Sequence, residues 1–139
     1  MEISDQKTLS IPIPDRDAVI KACLDYAEGW YTGDAERMQR SLHPDLVKRT
    51  IDRDPDQNTW QLTPARDAQY MVNLTREGGG SDITGPRRAS VVTILDAYQR
   101  TASAKVISHE YVDYLHLAKF EQGWLIVNVL WEYLDGEPG

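Results

Sequence analysis

The side chains in this sequence that could take part in chemistry include short polar groups placed inside apolar rows. Strict alternation along residues 124–133 puts five side chains on one face of a predicted strand: Trp124, Ile126, Asn128, Leu130 and Glu132. Asp113 interrupts a second apolar row that contains Leu115 and Leu117. A buried polar group costs free energy unless it is paired. Asn128 and Glu132 therefore predict either structural hydrogen bonds near the wet end of a sheet or polar contacts to a bound molecule. Asp113 predicts either a role at the surface or strand end or a polar contact in a pocket.

The residues that commonly bind metals or act as nucleophiles form no motif. The three histidines and the single cysteine, Cys23, are far apart in the sequence, whereas metal ligands recur at short spacings. Asp52, Asp54 and Asp56 imitate the start of a calcium loop, but Gln57 occupies the position that needs glycine. Cys23 has no flanking cation that would activate its thiol. The sequence thus predicts no metal and no cofactor, and spacing alone assigns no catalytic residue.

The predicted elements that position these groups begin with two helices. The first predicted helix runs from about Asp15 to Tyr31 and is apolar around most of its circumference, which is typical of a buried helix. Gly33 ends it with little steric strain. Asp34 can cap a short second helix, and Pro44 stops that helix.

A third helix and a run of strands complete the predicted order. Thr63 is a natural N-cap and Pro64 suits the first helical position, so we expect the third helix to begin there. From Arg88 onward the hydrophobic period changes to that of strands. Strands are predicted at 46–52, 60–62, 88–97, 101–109, 111–121 and 123–134. Three helices followed by an antiparallel meander predict an α+β fold.

Length, charge and composition restrict the classes of protein that fit. The 139 residues are typical of one domain, for which we expect an arm over 1–13, a domain over 14–135 and a tail over 136–139. The net charge of −7 and the lack of a long basic run disfavour nucleic-acid and anionic-membrane partners. A polar N-terminus, one cysteine and no apolar stretch long enough for a membrane span predict a cytoplasmic location.

Several motifs resemble the NTF2-like (cystatin-like cone) superfamily, and in particular its "putative lumazine-binding" group. They are YAEGWYTGD at 26–34, LHPD at 42–45, YVDYLHL at 111–117 and GWLIVN at 123–128. The resemblance covers roughly residues 15–134. It implies three helices packed in the concave face of a strongly bent antiparallel sheet, with a pocket at the open end of the cone. Members of the superfamily range from isomerases and dehydratases to association modules, so the fold alone implies no activity.

The resemblance also implies where a ligand would bind. In such a cone the first helix lines the pocket, so we expect Tyr26 and Trp30 in its wall. The helix-facing rows add Leu115 and Trp124, and the polar contacts are expected from two residues, Asp113 and Asn128. An apolar cleft with few polar groups is typical of a small-molecule site, and tryptophans could stack on a flat apolar or aromatic compound.

The opposite face of the last strand predicts a partner. It carries Leu125, Val127, Val129 and Trp131, an apolar patch too large for a monomer to leave bare. We therefore expect a homodimer joined through the outer face of the sheet. Three functions stay open: binding of a small apolar or aromatic molecule, an isomerase or dehydratase of the ketosteroid isomerase type, and a protein-association module that uses the exposed sheet.

Overall fold

The computed structural model describes residues 11–83, 85 and 89–134. Within them, three helices and six strands follow one another in an α+β order. The helices are α1 (Ile13–Thr32), α2 (Ala35–Ser41) and α3 (Ala68–Arg76). The strands are β1 (Leu42–Asp54), β2 (Thr59–Leu62), β3 (Val91–Tyr98), β4 (Thr101–Ile107), β5 (Tyr111–Phe120) and β6 (Gly123–Tyr133). The predicted fold class is confirmed.

The strands form a mixed sheet in the order β2-β1-β6-β5-β4-β3. The predicted meander is β3 to β6, whose neighbouring strands pair antiparallel. Strand β1 lies parallel to β6, the last strand of the meander, which is its neighbour in the sheet. Register shifts in β1, β3 and β6 mark places where the sheet bends around the helices.

Helix α1 lies in the middle of the core. Val19, Cys23 and Tyr26 are buried, as the broad apolar surface of the sequence predicts. Gly33 adopts the left-handed conformation at the C-cap, with φ of 69°, which glycine allows at little cost. Of the predicted arm, residues 1–10 lie outside the described residues, and Ile11 is buried in the core. The predicted tail over 136–139 and Arg88, the first residue of the predicted meander, also lie outside them.

The start of α3 differs from the prediction. Asp67 is the N-cap and its side chain accepts a hydrogen bond from Tyr70 N. Thr63 is used elsewhere, because its hydroxyl accepts a hydrogen bond from Thr50 N of β1 at 3.0 Å. Residue Arg66 also pairs with β1, through two backbone hydrogen bonds to Lys48. The Thr63-Pro64 pair therefore extends the sheet edge and does not begin a helix.

A β-bulge at Val127 reverses the sheet faces on which the later side chains of β6 lie. Leu117 pairs with Ile126, but the preceding residue, His116, pairs with Asn128, so that Val127 has no partner across β5. One extra residue moves all later side chains to the opposite face. The prediction that Asn128 faces the helices is wrong. Its side chain points outward, on the same face of the sheet as His116.

Because of the same bulge, the predicted dimer patch is wrong. Val129 is 1% exposed and packs in the core, and Trp131 faces the helices beside it. Leu125 is buried as well. The patch of Leu125, Val127, Val129 and Trp131 is therefore not one exposed surface.

Among the described residues, none of the helices has the length and the apolar character that a membrane span requires.

The buried carboxylate of Asp25 joins α1 to α2 through three cations that reach the protein surface. Its carboxylate accepts hydrogen bonds from Lys21 at 2.9 Å, Arg37 at 2.9 Å and Arg40 at 3.0 Å. Burial alone would raise the pKa of Asp25, but the hydrogen bonds from Arg40, Lys21 and Arg37 outweigh it and hold the pKa at about 2. The charged carboxylate is therefore part of the helix packing.

Replacing this carboxylate should cost stability at neutral pH. We expect Asp25→Asn to lower the free energy of unfolding by about 2 kcal/mol at pH 7, the amount that corresponds to the lowered pKa. Because the folded pKa lies below the unfolded one, this stabilisation is complete above about pH 5 and is lost as the pH falls through about 2. Urea unfolding between pH 7 and pH 2 measures it. Asp17→Asn, at an exposed position of α1, is the control, and an equal loss in both variants would contradict the prediction.

Candidate functional site

A cavity of about 340 Å³ lies between the helices and the concave face of the sheet. Its residues come from α1, α3, β1 and the inner rows of β4 to β6. They include Tyr26, Ala27, Trp30, Tyr31, Lys48, Thr50, Tyr70, Met71, Leu74, Val106, Tyr111, Asp113, Trp131 and Tyr133. The volume falls in the usual range of small-molecule sites, about 300–1,000 Å³. The cone is therefore not filled by side chains.

Aromatic rings form much of the cavity wall. Tyr111, Trp131 and Tyr133 contact one another, with ring centroids 5.0 to 5.5 Å apart. Trp131 lies edge-on to both tyrosine rings, a favourable arrangement for aromatic pairs. Tyr133 is 51% exposed, so this cluster reaches from the interior to the solvent. Such a wall offers flat apolar surface to a ligand.

Three polar side chains meet at the inner part of the cavity. Lys48 Nζ of β1 donates a hydrogen bond to Tyr26 Oη at 2.5 Å. Tyr26 Oη in turn donates to Asp113 Oδ2 of β5 at 2.6 Å. The three residues come from a helix and two strands that are not neighbours in the sheet, so the chain Lys48–Tyr26–Asp113 exists only in the folded protein. We call it the polar triad.

Burial shifts the pKa of every member of the triad. It raises the pKa of Asp113, against the opposing effects of the nearby Lys48 charge and the Tyr26 hydrogen bond. It lowers the pKa of Lys48, although the charge of Asp113 acts in the other direction. The pKa of Tyr26 is raised well above its ordinary range, mainly by burial and then by Asp113. Burial thus disfavours the separated charges, and only their proximity compensates for it.

The ammonium group of Lys48 keeps hydrogen-bonding capacity for a ligand. An ammonium has three N–H donors, and among the described residues Lys48 Nζ has one hydrogen-bond partner, Tyr26. The side chain is partly buried and lines the cavity. Its Nζ atom also lies 5.0 Å from the Tyr26 ring centroid and 5.9 Å from that of Trp131, which stabilises a cation. The remaining donors are available to an acceptor in the cavity.

Trp30 has a polar group that lacks a partner in the described residues. Its indole Nε1 is buried without a hydrogen bond there. The rings lie against the loop after α3, where a Cβ atom added at Gly79 or Gly80 would come within 2.3 Å of them. Glycine, which has no Cβ, fits such a close approach, and this gives a packing reason for Gly79 and Gly80. Trp30 is thus held between this loop and the cavity.

Of the six residues predicted for the site, three line this cavity: Tyr26, Trp30 and Asp113. Leu115 is 1% exposed and belongs to the core next to Asp113. Trp124 lies in a separate open depression of about 670 Å³ between the helices and the start of β6. Its indole Nε1 donates to Asp15 Oδ1 at 3.0 Å, so it is part of the attachment of α1.

Asn128 lies on the other side of the sheet from the cavity. Its Nδ2 atom is 3.5 Å from His116 Nδ1 on the outer face. The Val127 bulge explains this position, as described above. His43 also lies away from the cavity, with its ring 4.8 Å from that of Phe120. In the described part of the chain, no cluster of three or more histidine, cysteine, aspartate or glutamate side chains could hold a metal.

Sequence reasoning missed the aromatic wall of Tyr111, Trp131 and Tyr133, and it missed the charged residue of the site, Lys48. A signal for it exists in the alternation of β1, where Leu46 is 2% and Thr50 is 9% exposed. Lys48 lies between them on the same strand face. A lysine in a row of inward-facing residues is unusual, because lysine is rarely buried unless paired. That signal pointed to a buried partner, but not to Tyr26 or Asp113.

The comparisons with known proteins agree with this architecture. The model of the family described as "Putative lumazine-binding" matches residues 14–132. An NTF2-like protein of unknown function from Shewanella baltica OS155 is 18% identical, with a TM-score of 0.63, over 94% of this chain and 99% of that one. A second, from Methylobacillus flagellatus KT, is also 18% identical, with a TM-score of 0.63, over 91% and 99%.

A third solved structure is described both as NTF2-like and as having a cystatin-like fold. This NTF2-like protein with a cystatin-like fold, from Novosphingobium aromaticivorans, is 17% identical, with a TM-score of 0.59, over 90% of this chain and 85% of that one. The comparison with curated proteins gave no match. At these identities the solved structures show the fold alone. The family match extends over most of the chain, and the chain, whose fold is that of the NTF2-like structures, therefore belongs to the putative lumazine-binding family.

Proposed function

We propose that this protein binds a flat, mainly apolar molecule that carries a carbonyl or carboxylate oxygen. The observation that carries the proposal is the ammonium group of Lys48, which faces the cavity with donors that have no acceptor in the described residues. A ligand oxygen there would accept from Lys48, while the rest of the molecule would lie against Trp131 and Tyr111. A few polar groups in an aromatic cleft are the usual composition of such a site.

The open cavity supports this function over its alternatives. A filled cone would favour the association module, and the cone here contains about 340 Å³ of space. An isomerase or dehydratase needs a base, such as a carboxylate, that can reach the substrate. Asp113 is the carboxylate in the cavity wall, but it already accepts from Tyr26, whereas Lys48 keeps donors that have no acceptor in the described residues. Binding through Lys48 is therefore the function that we put first.

The binding proposal is tested by removing the ammonium group. We expect Lys48→Met to weaken the binding of 2-naphthoate, a flat aromatic carboxylate, by about 2 kcal/mol, or roughly 30-fold, because a charge-assisted hydrogen bond is lost. Isothermal titration calorimetry measures the affinity. Lys119→Met, which removes a lysine that pairs with Asp15 outside the cavity, should leave the affinity unchanged. Equal binding by both variants, or no binding by the unchanged protein, would contradict the proposal.

We further propose a homodimer through the outer face of the sheet, with residues different from those first predicted. The support is a set of exposed apolar side chains on neighbouring strands: Val91 (63%), Ile107 (36%), Tyr114 (47%) and Leu130 (44%). Val91 pairs with Ile107, and Tyr114 pairs with Leu130, so each pair shares one face of the sheet.

We propose that the protein acts in the cytoplasm, where its single, buried thiol would remain reduced.

A further inference from the structure

The polar triad is a continuous path for a proton. Lys48 Nζ–H points to Tyr26 Oη at 2.5 Å, and Tyr26 Oη–H points to Asp113 Oδ2 at 2.6 Å. If Lys48 gives its proton to Tyr26 while Tyr26 gives its own to Asp113, tyrosine ends unchanged. The result is a neutral amine and a neutral carboxylic acid. No net charge enters or leaves the site.

This transfer produces the form of lysine that reacts. A neutral amine has a lone pair and is a nucleophile, whereas an ammonium is not. Burial favours the transfer, since it lowers the pKa of Lys48 and raises the pKa of Asp113. The amine then stands at the wall of an aromatic cavity large enough for a small molecule. A bound carbonyl compound would meet it there.

We propose that the Lys48 amine attacks the carbonyl carbon of a bound aromatic aldehyde or ketone and forms an imine, with Tyr26 and Asp113 as the proton relay. This inference rests on the proposed binding function and specifies its ligand class. It goes beyond that function because it adds a covalent step. The reacting residue is one that the resemblance in sequence did not point to.

The atoms and electrons of the step balance without any redox partner. The nitrogen lone pair forms the C–N bond, and the carbonyl π electrons move to oxygen, which takes a proton from the nitrogen to give a carbinolamine. The C–O bond then breaks, and the oxygen leaves as water with the proton that Asp113 held, passed back through Tyr26. The product is a protonated imine beside the Asp113 carboxylate. Aldehyde and lysine ammonium have become iminium and water.

The other lysines in the described residues are built-in controls. Lys21 pairs with Asp25 and its side chain is 66% exposed, and Lys119 pairs with Asp15. Lys105 of β4 pairs across the sheet with Thr93 and Tyr114, away from the cavity. None of the three is joined to a tyrosine and a buried carboxylate. A general reactivity of lysine would therefore label them as readily as Lys48.

The test is reductive trapping of the full chain with 2-naphthaldehyde and sodium cyanoborohydride. We expect one naphthylmethyl adduct by intact mass, located at Lys48 by peptide mapping. It should form at least about tenfold faster than at Lys119, because the aldehyde binds in the cavity beside Lys48 and burial lowers the pKa of that amine. Tyr26→Phe keeps the ring but removes the group that returns the proton to the leaving oxygen, and we expect it to slow labelling of Lys48 by about tenfold or more. Circular dichroism shows that the variant is folded, and labelling rates are compared at aldehyde concentrations that saturate each protein.

Each outcome separates the covalent step from binding. Binding of 2-naphthoate with labelling of Lys48 no faster than of Lys119 would overturn the imine and leave the proposed function intact. Lack of 2-naphthoate binding together with slow labelling would overturn both. Unchanged labelling in a folded Tyr26→Phe variant would remove the relay and with it this inference. Selective labelling of Lys48 that depends on Tyr26 supports the inference.

Discussion

Two adjacent residues of β6 should respond to the same substitution in opposite ways. Val129→Glu is expected to prevent folding, because Val129 is 1% exposed and an unpaired carboxylate at this position would be buried. Burial of an unpaired charge in the core is among the most destabilising single changes, and we expect a loss of more than about 4 kcal/mol. Circular dichroism and urea unfolding measure the effect.

Leu130→Glu is the matched variant of that experiment. Leu130 is 44% exposed on the outer face, so a glutamate there can be solvated in the monomer. We expect the variant to keep its helix and strand content and to run as a monomer in light scattering, whereas the unchanged chain runs as a dimer. A folded Val129→Glu protein with an unfolded Leu130→Glu protein would show that the bulge at Val127 is misplaced. A dimeric Leu130→Glu protein would contradict the proposed interface alone.

Asp113→Asn should destabilise the protein by about 3 kcal/mol at neutral pH. The amide keeps the shape of the side chain but removes the negative charge that compensates Lys48 through Tyr26, and leaving an interior charge uncompensated typically costs about 3–5 kcal/mol. Part of that cost is expected to be relieved by deprotonation of Lys48, so we take the lower end of the range. Urea unfolding at pH 7 measures it.

The double variant tests whether Lys48 is the cause. With Lys48→Met added, no charge is left to be compensated, so we expect the double variant to be more stable than the sum of the two single effects implies. The coupling energy should fall between about 1 and 3 kcal/mol. Ser108→Ala in place of Asp113→Asn is the control, because Ser108 also lines the cavity but bonds to Tyr31 and not to the triad. Additive effects of Asp113→Asn and Lys48→Met would show that these two residues have no interaction free energy.

Most of the architecture could be predicted from local patterns. The apolar surface of α1, the Asp34 N-cap, which accepts from Arg37 N, and the left-handed Gly33 follow from local chemistry that a reader of the sequence can recognise. The four strands of the meander follow from period-two patterning. The start of α3 could not be predicted in this way, because Thr63 and Asp67 are both good N-caps and the sheet edge uses the first of them.

The candidate site could be predicted only in part. Tyr26, Trp30 and Asp113 were expected in the pocket, and the structure places all three in the cavity wall. Asn128 was assigned to the wrong face, since strict alternation holds only while the register is unbroken. The run LIVNVLW is apolar on both faces, so nothing in its pattern marks Val127 as the extra residue. That bulge is visible only in the pairing of β6 with β5.

By itself, the sequence determined the class of this fold, because helix periodicity, caps and strand alternation depend on neighbours along the chain. It also determined that two aromatic residues one helical turn apart, Tyr26 and Trp30, share a face of α1. Tertiary structure alone decided that Lys48, Tyr26 and Asp113 meet, since they are separated by 22 and 87 positions. Their hydrogen bonds and shifted pKa values arise from burial between elements distant in sequence. Burial of that kind depends on the packing of the whole sheet against α1, which no local pattern encodes.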